Sequence, residues 1–271
     1  MAGLSPPLIV IQSIARAKSL FCRDEPIRGL DAFITGLELY EPAHLLGKAR
    51  YQVEVLVQEC VQELNREAHV RDILAALTKS PKSTLAYSPG NEDNLLNILG
   101  ILRKALMESK KNKEAAAAQE LEDRKNSLRA RGRDHLNKGD AGRGKATLRV
   151  LADEYGHEPG VLLEIGQWLQ DAKLLFEALE FYEAAMQSFP KEAKAYQGAA
   201  FCAVELHEAD KAVEVYMQAL RQFGKHPKTL FNLAKAHMMA KNRDKAFEFA
   251  QAAYKADPSN LEAKEMADKL A

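Results

Sequence analysis

The segment with residue types closest to a known chemical motif is Gly139-Asp-Ala-Gly-Arg-Gly-Lys-Ala-Thr147. It nearly matches the phosphate-binding pattern GxxxxGK[ST], but Ala146 stands where the metal-binding hydroxyl belongs. That loop works where it leaves a strand and opens a helix, so that backbone N–H groups face phosphate. Here the preceding residues 128–138 have a helical pattern. We therefore interpret residues 139–143 as a turn between two helices.

Other residues that could support catalysis or bind a metal are scattered. The seven histidines form no HExxH pair, the three cysteines (Cys22, Cys60 and Cys202) form no CxxC pair, and no GxSxG turn occurs. We expect reduced thiols, no metal site, no cofactor and no catalytic residue, and we predict that the protein is not an enzyme. An enzyme with its catalytic residues in the N-terminal half is an alternative that no motif supports.

Composition places the chain among soluble globular proteins. Of its 271 residues, 46% are apolar and 28% are charged, enough for one large or two modest domains. The formal net charge is zero, so no overall field points to nucleic acid or membrane. The sequence shows neither a signal peptide nor an apolar run that could cross a bilayer. We expect a cytoplasmic protein without membrane contact.

Small residues recur every 34 positions in the C-terminal half of the chain. Three such columns are Gly132, Gly166, Ala200 and Ala234; Gly144, Ala178, Ala212 and Ala246; and Leu151, Ala185, Ala219 and Ala253, the last opening on a leucine. A fixed period of this length indicates stacked helix pairs, with small residues where antiparallel helices touch. The predicted units are 125–158, 159–192, 193–226 and 227–260, followed by a capping helix at 261–271.

This pattern resembles the tetratricopeptide repeat family, whose units carry small residues at positions 8, 20 and 27, an aromatic at 24 and proline at 32. Unit 159–192 supplies Gly166, Ala178, Ala185, Tyr182 and Pro190 at those places. The other units depart at one or two positions, with Gly224 for the proline, Ala250 for the aromatic, and Arg131 and Leu148 in the first unit. The resemblance implies an all-α fold, an α-solenoid of tetratricopeptide-type helix pairs with a helical N-terminal domain. His135 and His237 share position 11, which is an aromatic packing site in the family.

The N-terminal half is also helical but follows the repeat less closely. Residues 1–78 are predicted to form a helical domain, with a degenerate helix pair at 8–21 and 27–40, a long helix from about Pro42 to Arg66 and a shorter helix after it. Prolines, glycine, serines and threonines mark 79–93 as a linker and domain boundary. A connecting helix at 94–124 begins very apolar. That part must be buried against its own chain or a partner, so a homodimer through 94–108 is a hypothesis.

In the family, the concave surface is lined by a fixed set of first-helix positions. On this chain the resemblance places there Arg129, Arg133, Leu163, Glu164, Gln167, Gln170, Lys194, Gln197, Phe201, Glu205, Lys228, Phe231, Asn232, Lys235 and Met238. Phe201, Phe231 and Met238 would be apolar anchors for an extended or helical segment. The resemblance thus implies a non-enzymatic scaffold or adaptor that binds another protein. A structural spacer with a weakly used groove is the plainer alternative.

Charge along the repeats is uneven. Nine lysines or arginines stand against two aspartates in 124–149, and nine acidic residues against two lysines in 151–193. These could be solvated helix faces, a docking patch for an acidic partner or a contact for head-to-tail self-association. Nucleic-acid binding through 124–149 is the lesser alternative and is not expected, because the patch lacks aromatic residues for base stacking. Lys228, Asn232 and Lys235 lie in one unit, so the family's carboxylate clamp is not expected either.

Overall fold

The computed structural model describes residues 6–40, 47–80 and 83–271, and in these residues it contains thirteen helices and no strand. The helices are α1 (Pro6–Phe21), α2 (Pro26–Glu38), α3 (Lys48–Arg66), α4 (Ala68–Thr78), α5 (Glu92–Asn137), α6 (Ala141–Tyr155), α7 (Val161–Asp171), α8 (Leu175–Ser188), α9 (Ala193–Glu205), α10 (Ala209–Phe223), α11 (Pro227–Met239), α12 (Arg243–Ala256) and α13 (Leu261–Leu270). Contacts divide the chain into two units, Met1–Gln119 and Glu120–Ala271. None of these helices combines the length and apolar character needed to cross a bilayer.

In the first unit, α1 and α2 form the helix pair predicted from the sequence. Gly36 lies where a Cβ would come within 2.7 Å of Ile14, and Gly29 lies directly against the Phe21 ring. That ring meets the edge of Phe33 at a centroid distance of 6.3 Å. The long helix that follows is described from Lys48, and its predicted beginning at 42–46 lies outside the described residues.

The predicted boundary at 79–93 differs from the structure. Asn65 holds Leu85 through two hydrogen bonds, since its Nδ2 donates to the Leu85 carbonyl at 2.9 Å and its Oδ1 accepts from the Leu85 N–H at 2.8 Å. Leu85 is itself buried in the core of the first unit. The described part of this segment, which lacks positions 81 and 82, is therefore packed within one unit. The division between the units falls further on, inside α5.

The apolar beginning of α5 is covered by its own chain. Leu95, Leu99, Leu102 and Leu106 are buried in the same core as α1, α2, α3 and α4. The sequence left open whether this segment is buried against its own chain or against a partner, and in the structure its own chain buries it. This burial removes the observation that motivated the hypothesis of a homodimer through 94–108.

The second unit consists of the predicted helix pairs. Ala178, Ala212 and Ala246 have no exposed surface. A Cβ on Gly132 would come within 2.6 Å of Leu148, and one on Gly144 within 2.6 Å of Leu136. The columns of small residues are therefore the places where helix meets helix, and the prediction of tetratricopeptide-type pairs in an all-α solenoid is confirmed.

The segment that resembles a phosphate-binding loop connects two helices. α5 ends at Asn137 and α6 begins at Ala141, so the turn is shorter than the predicted 139–143. Gly139 adopts φ +76°, and the Asp140 side chain caps α6 by accepting from the Arg143 N–H at 3.1 Å. The rest of the motif lies within α6, where its N–H groups become part of a helix.

Tyr182 shows how closely neighbouring helices approach. Its ring is 1% exposed. It lies against Gly166 of its own helix pair, where a Cβ would come within 2.8 Å, and against Gly198 of the next pair. A side chain on either glycine would have to displace the ring, so both positions require the absence of a Cβ.

We expect Gly198→Ala to lower the free energy of unfolding by about 1–3 kcal/mol relative to Gly142→Ala, because the new methyl group overlaps the Tyr182 ring. Gly142 is the matched control, since it is also helical and a Cβ there meets nothing closer than 3.9 Å. Replacing glycine by alanine raises the helix propensity at both positions. Urea denaturation followed by circular dichroism measures the difference, and equal stabilities would contradict this packing.

His237 packs inside the fourth pair, as its place in the repeat predicts. It is 5% exposed, and its ring stacks on Phe249 at a centroid distance of 5.4 Å. Burial lowers the pKa of the imidazole, and the nearby Lys245 lowers it further. The folded protein therefore holds this histidine in its neutral form at pH values where the unfolded chain binds a proton.

We expect His237→Phe to reduce the acid sensitivity of the fold. In the unfolded chain the histidine binds its proton near pH 6.5, while in the folded protein its pKa is lower. Its contribution to stability is thus complete above about pH 6.5 and is lost as the pH falls below it. Unfolding free energies measured between about pH 8 and pH 5 should fall less for the variant than for the wild type. Parallel curves would refute the assignment.

Candidate functional site

Two adjoining cavities run along the first helices of three successive pairs. One, of about 580 Å³, is lined by Ala193, Tyr196, Gln197, Phe201, Val204, Tyr216, Ala219, Phe223, His226, Lys228, Thr229 and Asn232. The other, of about 520 Å³, is lined by Leu163, Glu164, Gln167, Gln170, Tyr182, Lys194, Gln197, Gly198 and Phe201. They share Gln197 and Phe201. We call the two together the groove.

The structure brings most of the predicted site residues together. Nine of them line the groove: Leu163, Glu164, Gln167, Gln170, Lys194, Gln197, Phe201, Lys228 and Asn232. Arg133 lines a separate cavity of about 270 Å³ beside Trp168 and Asp171. Arg129, Phe231, Lys235 and Met238 line none of these three cavities. Their side chains are engaged elsewhere or lie on open surface.

Phe231 is not the open anchor that the resemblance implied. It is 7% exposed and belongs to a core cluster with Leu230, Ala253 and Ala263. The ammonium of Lys235 lies 4.2 Å from the centre of its ring. Phe201, in contrast, is 43% exposed and lies where the two cavities meet. The resemblance places both residues on the concave face, at different positions of the repeat, but only Phe201 is exposed.

Two further predicted residues are held by ion pairs. Arg129 Nη2 lies 3.0 Å from Glu164 Oε2, and Lys235 Nζ lies 3.4 Å from Glu262 Oε2 on α13. Met238 is exposed but outside the groove. Arg129, Lys235 and Met238 therefore do not line the cavities as predicted. The repeat register determines which face of the helix a residue lies on, but it does not determine what a long side chain contacts.

The second helix of unit 193–226 supplies aromatic residues that the sequence analysis missed. Phe223 ends α10, is 43% exposed, and meets Tyr196 edge to face at 5.2 Å between ring centres. Tyr216 lines the same cavity. Only first-helix positions were considered in the sequence. Gly224, which replaces the proline of the repeat and adopts φ +84°, is the signal next to Phe223 that could have directed attention there.

Hydrogen bonds fix the floor of the smaller cavity. Tyr182 Oη donates to Gln170 Oε1 at 2.8 Å, and burial raises the pKa of the Tyr182 phenol, which keeps it protonated. Gln167 Nε2 donates to Asp171 at 3.1 Å. The Gln170 amide is thus held with its oxygen toward the tyrosine.

The basic segment 124–149 is largely paired within the chain. Six of its nine basic side chains lie within 4.0 Å of a carboxylate, namely Arg124, Lys125, Arg129, Lys138, Arg143 and Lys145. Lys145 and Arg129 reach acidic residues of the following unit, Glu177 at 2.7 Å and Glu164 at 3.0 Å. The uneven charges seen in the sequence therefore meet each other, which weakens the case for a patch that binds nucleic acid.

Within the described part of the chain, no three His, Cys, Asp or Glu side chains come together as metal ligands. Cys60 and Cys202 are buried, and burial raises the pKa of their thiols to about 12 and about 11. Both therefore stay protonated at neutral pH and react poorly as nucleophiles.

Comparison with known proteins finds likeness only at the level of structure. No family model and no curated protein matches this chain. A MamA protein is 16% identical, with 54% of this chain and 80% of MamA covered and a TM-score of 0.44. MamA from Desulfovibrio magneticus RS-1, residues 41 to the end, is 16% identical, with 55% of this chain and 84% of that one covered and a TM-score of 0.42.

YrrB, described as a TPR protein with an unusual peptide-binding site, is 20% identical, with 45% of this chain covered and a TM-score of 0.39. The match spans 63% of YrrB, just under two thirds of its length. At such identities these likenesses say nothing about what this chain binds.

We expect Phe231→Ala to destabilise the protein by about 3–5 kcal/mol, the usual cost of truncating a buried phenylalanine. Phe201→Ala should cost about 1 kcal/mol or less, because that side chain is half exposed. Chemical denaturation of the two variants separates the core residue from the groove residue. Similar losses of stability in both would contradict the assignment of Phe201 to an open surface.

Proposed function

We propose that this chain is a protein-interaction scaffold or adaptor whose groove binds a segment of a partner protein, extended or helical. The observation that carries the proposal is the pair of exposed rings, Phe201 and Phe223, in a groove that the helix pairs hold open. Exposed aromatic side chains within a concave surface are typical of interfaces. Burying them against a partner removes apolar surface from water.

The polar lining supports the same conclusion. The amides of Gln197 and Asn232 line the larger cavity together with Phe201, and Gln197 also lines the smaller one. An amide both donates and accepts, so it can pair with the main chain of a bound segment whatever its sequence. Apolar anchors supply affinity and such amides set the register of the segment.

The helices that present these side chains favour tight binding. Apart from His226, which directly precedes α11, the groove residues lie on helices α7 to α11, which are fixed by fully buried alanines such as Ala178 and Ala212. A binding surface on packed helices loses little conformational entropy when a partner docks. The other candidate, contact through the basic segment 124–149, has most of its charges already paired and is not favoured.

We expect Phe201→Asp to weaken partner binding at least about thirtyfold, which is the loss typical of a central aromatic anchor. Partners crosslinked to the wild-type protein in its native cells would be purified, and their affinity measured for each variant by calorimetry. Phe176→Asp is the matched control, since Phe176 is 59% exposed and lines neither cavity.

Circular dichroism must show that both variants keep the native helical content. The proposal fails if the purified partner binds Phe201→Asp as tightly as wild type, or if Phe176→Asp weakens binding to the same extent.

A further inference from the structure

We infer that the segment bound in the groove is an acidic internal peptide, with one bulky apolar residue flanked on both sides by acidic residues. This inference rests on the proposed function and specifies the chemistry of the partner. It follows from the charges in the groove, from the place where its cavities join, and from the pairing of Lys235 with Glu262 outside it.

The groove carries unpaired positive charge and no unpaired negative charge. Lys194 and Lys228 are exposed, and neither lies within ion-pair distance of a carboxylate among the described residues. The only acidic side chain in the lining, Glu164, is neutralised by Arg129 at 3.0 Å. A partner that buried these lysines without supplying carboxylates would lose their hydration without compensation.

The two lysines occupy the same place in successive repeats. Lys194 is the second residue of α9, and Lys228 is the second residue of α11. The partial positive charge of each helix N-terminus has the same sign as its lysine. Neither N-terminus has a side-chain cap, and Glu192, which precedes α9, lines neither cavity. The corresponding residue in the preceding unit is Gly160, so among the three units that line the groove only those of α9 and α11 carry a lysine at this position.

The arrangement of the cavities sets the order of residues in the peptide. Lys194 lines the smaller cavity and Lys228 the larger one, while Phe201 lies in both. A peptide that passes from one cavity to the other over Phe201 therefore enters the cavity lined by Lys194 and the cavity lined by Lys228.

Two lysines in separate cavities favour two acidic side chains over a single terminal carboxylate. A second cation on α11, Lys235, is held by Glu262 at 3.4 Å and lies outside the groove. The described side chains therefore form no single cluster around a chain end, and an internal segment fits them better.

The experiment is a selection from phage-displayed random peptides of roughly 12 residues, about 40 Å when extended, with fixed sequence on both sides. Selection is carried out on the wild type, on Lys194→Glu/Lys228→Glu, and on the control Lys191→Glu/Lys225→Glu. The control changes net charge equally at exposed lysines that line neither cavity. Selected peptides are then synthesised with blocked ends, and their affinities are measured by fluorescence anisotropy.

We expect wild-type selections to be enriched in peptides with an apolar residue between acidic residues. Their affinity should fall about tenfold or more for the groove double variant and less than about twofold for the control. Raising the ionic strength from about 0.1 M to about 1 M should also weaken them, because the screening length falls from about 10 Å to about 3 Å.

Each other outcome overturns a specific part of the argument. Peptides that are neutral or basic, and that bind the groove double variant normally but lose binding with Phe201→Asp, would refute the acidic segment and leave the proposed function standing. Peptides that bind only with a free terminal carboxylate would refute the internal segment. If no selected peptide depends on Phe201, both the inference and the proposed function fail.

Discussion

The close approach of neighbouring helices at residues without large side chains is the constraint on which the second unit depends. The Tyr182 ring fills the space between Gly166 and Gly198, and fully buried alanines occupy the equivalent contacts of the later pairs. Dense packing of this kind allows few alternative arrangements, because a single added methyl group must displace a ring. It holds α7 to α11 together as successive packed helices, and the groove is lined by residues of these helices.

Charge pairing between successive pairs has a different role from packing. Arg129 and Glu164, Lys145 and Glu177, and Lys211 and Glu183 each join one unit to the next at 2.6 to 3.0 Å. Partly exposed ion pairs add little to stability, so their effect is chiefly to match one helix pair to the next. Their consequence for function is clearer. These ion pairs neutralise much of the charge near the groove and leave Lys194 and Lys228 as its unpaired cations.

The 34-residue period of the sequence predicted the helix pairs. The sequence did not predict the structural features that no residue type marks. The columns of glycine and alanine gave the helix pairs, because only small residues fit where backbones approach. In the structure, Gly139, Lys173, His207 and Lys241 also recur every 34 residues, each with φ between 55° and 76° in the turn between the two helices of its unit. Three of the four are not glycine, so no repeated glycine in the sequence predicted this left-handed turn. The boundary inside α5 was missed for a similar reason, since a continuous helix carries no turn signal at 119.

The contrast between Phe201 and Phe231 shows what ends the groove. Both stand on the helix face that the repeat register assigns to the concave surface, yet Phe231 shares a core cluster with Ala263 of α13. Lys235 is drawn to Glu262 of the same helix while its ammonium lies over the Phe231 ring. Helix α13 thus helps to bury Phe231 and pairs with Lys235, and the cavities of the groove reach no further along α11 than Asn232.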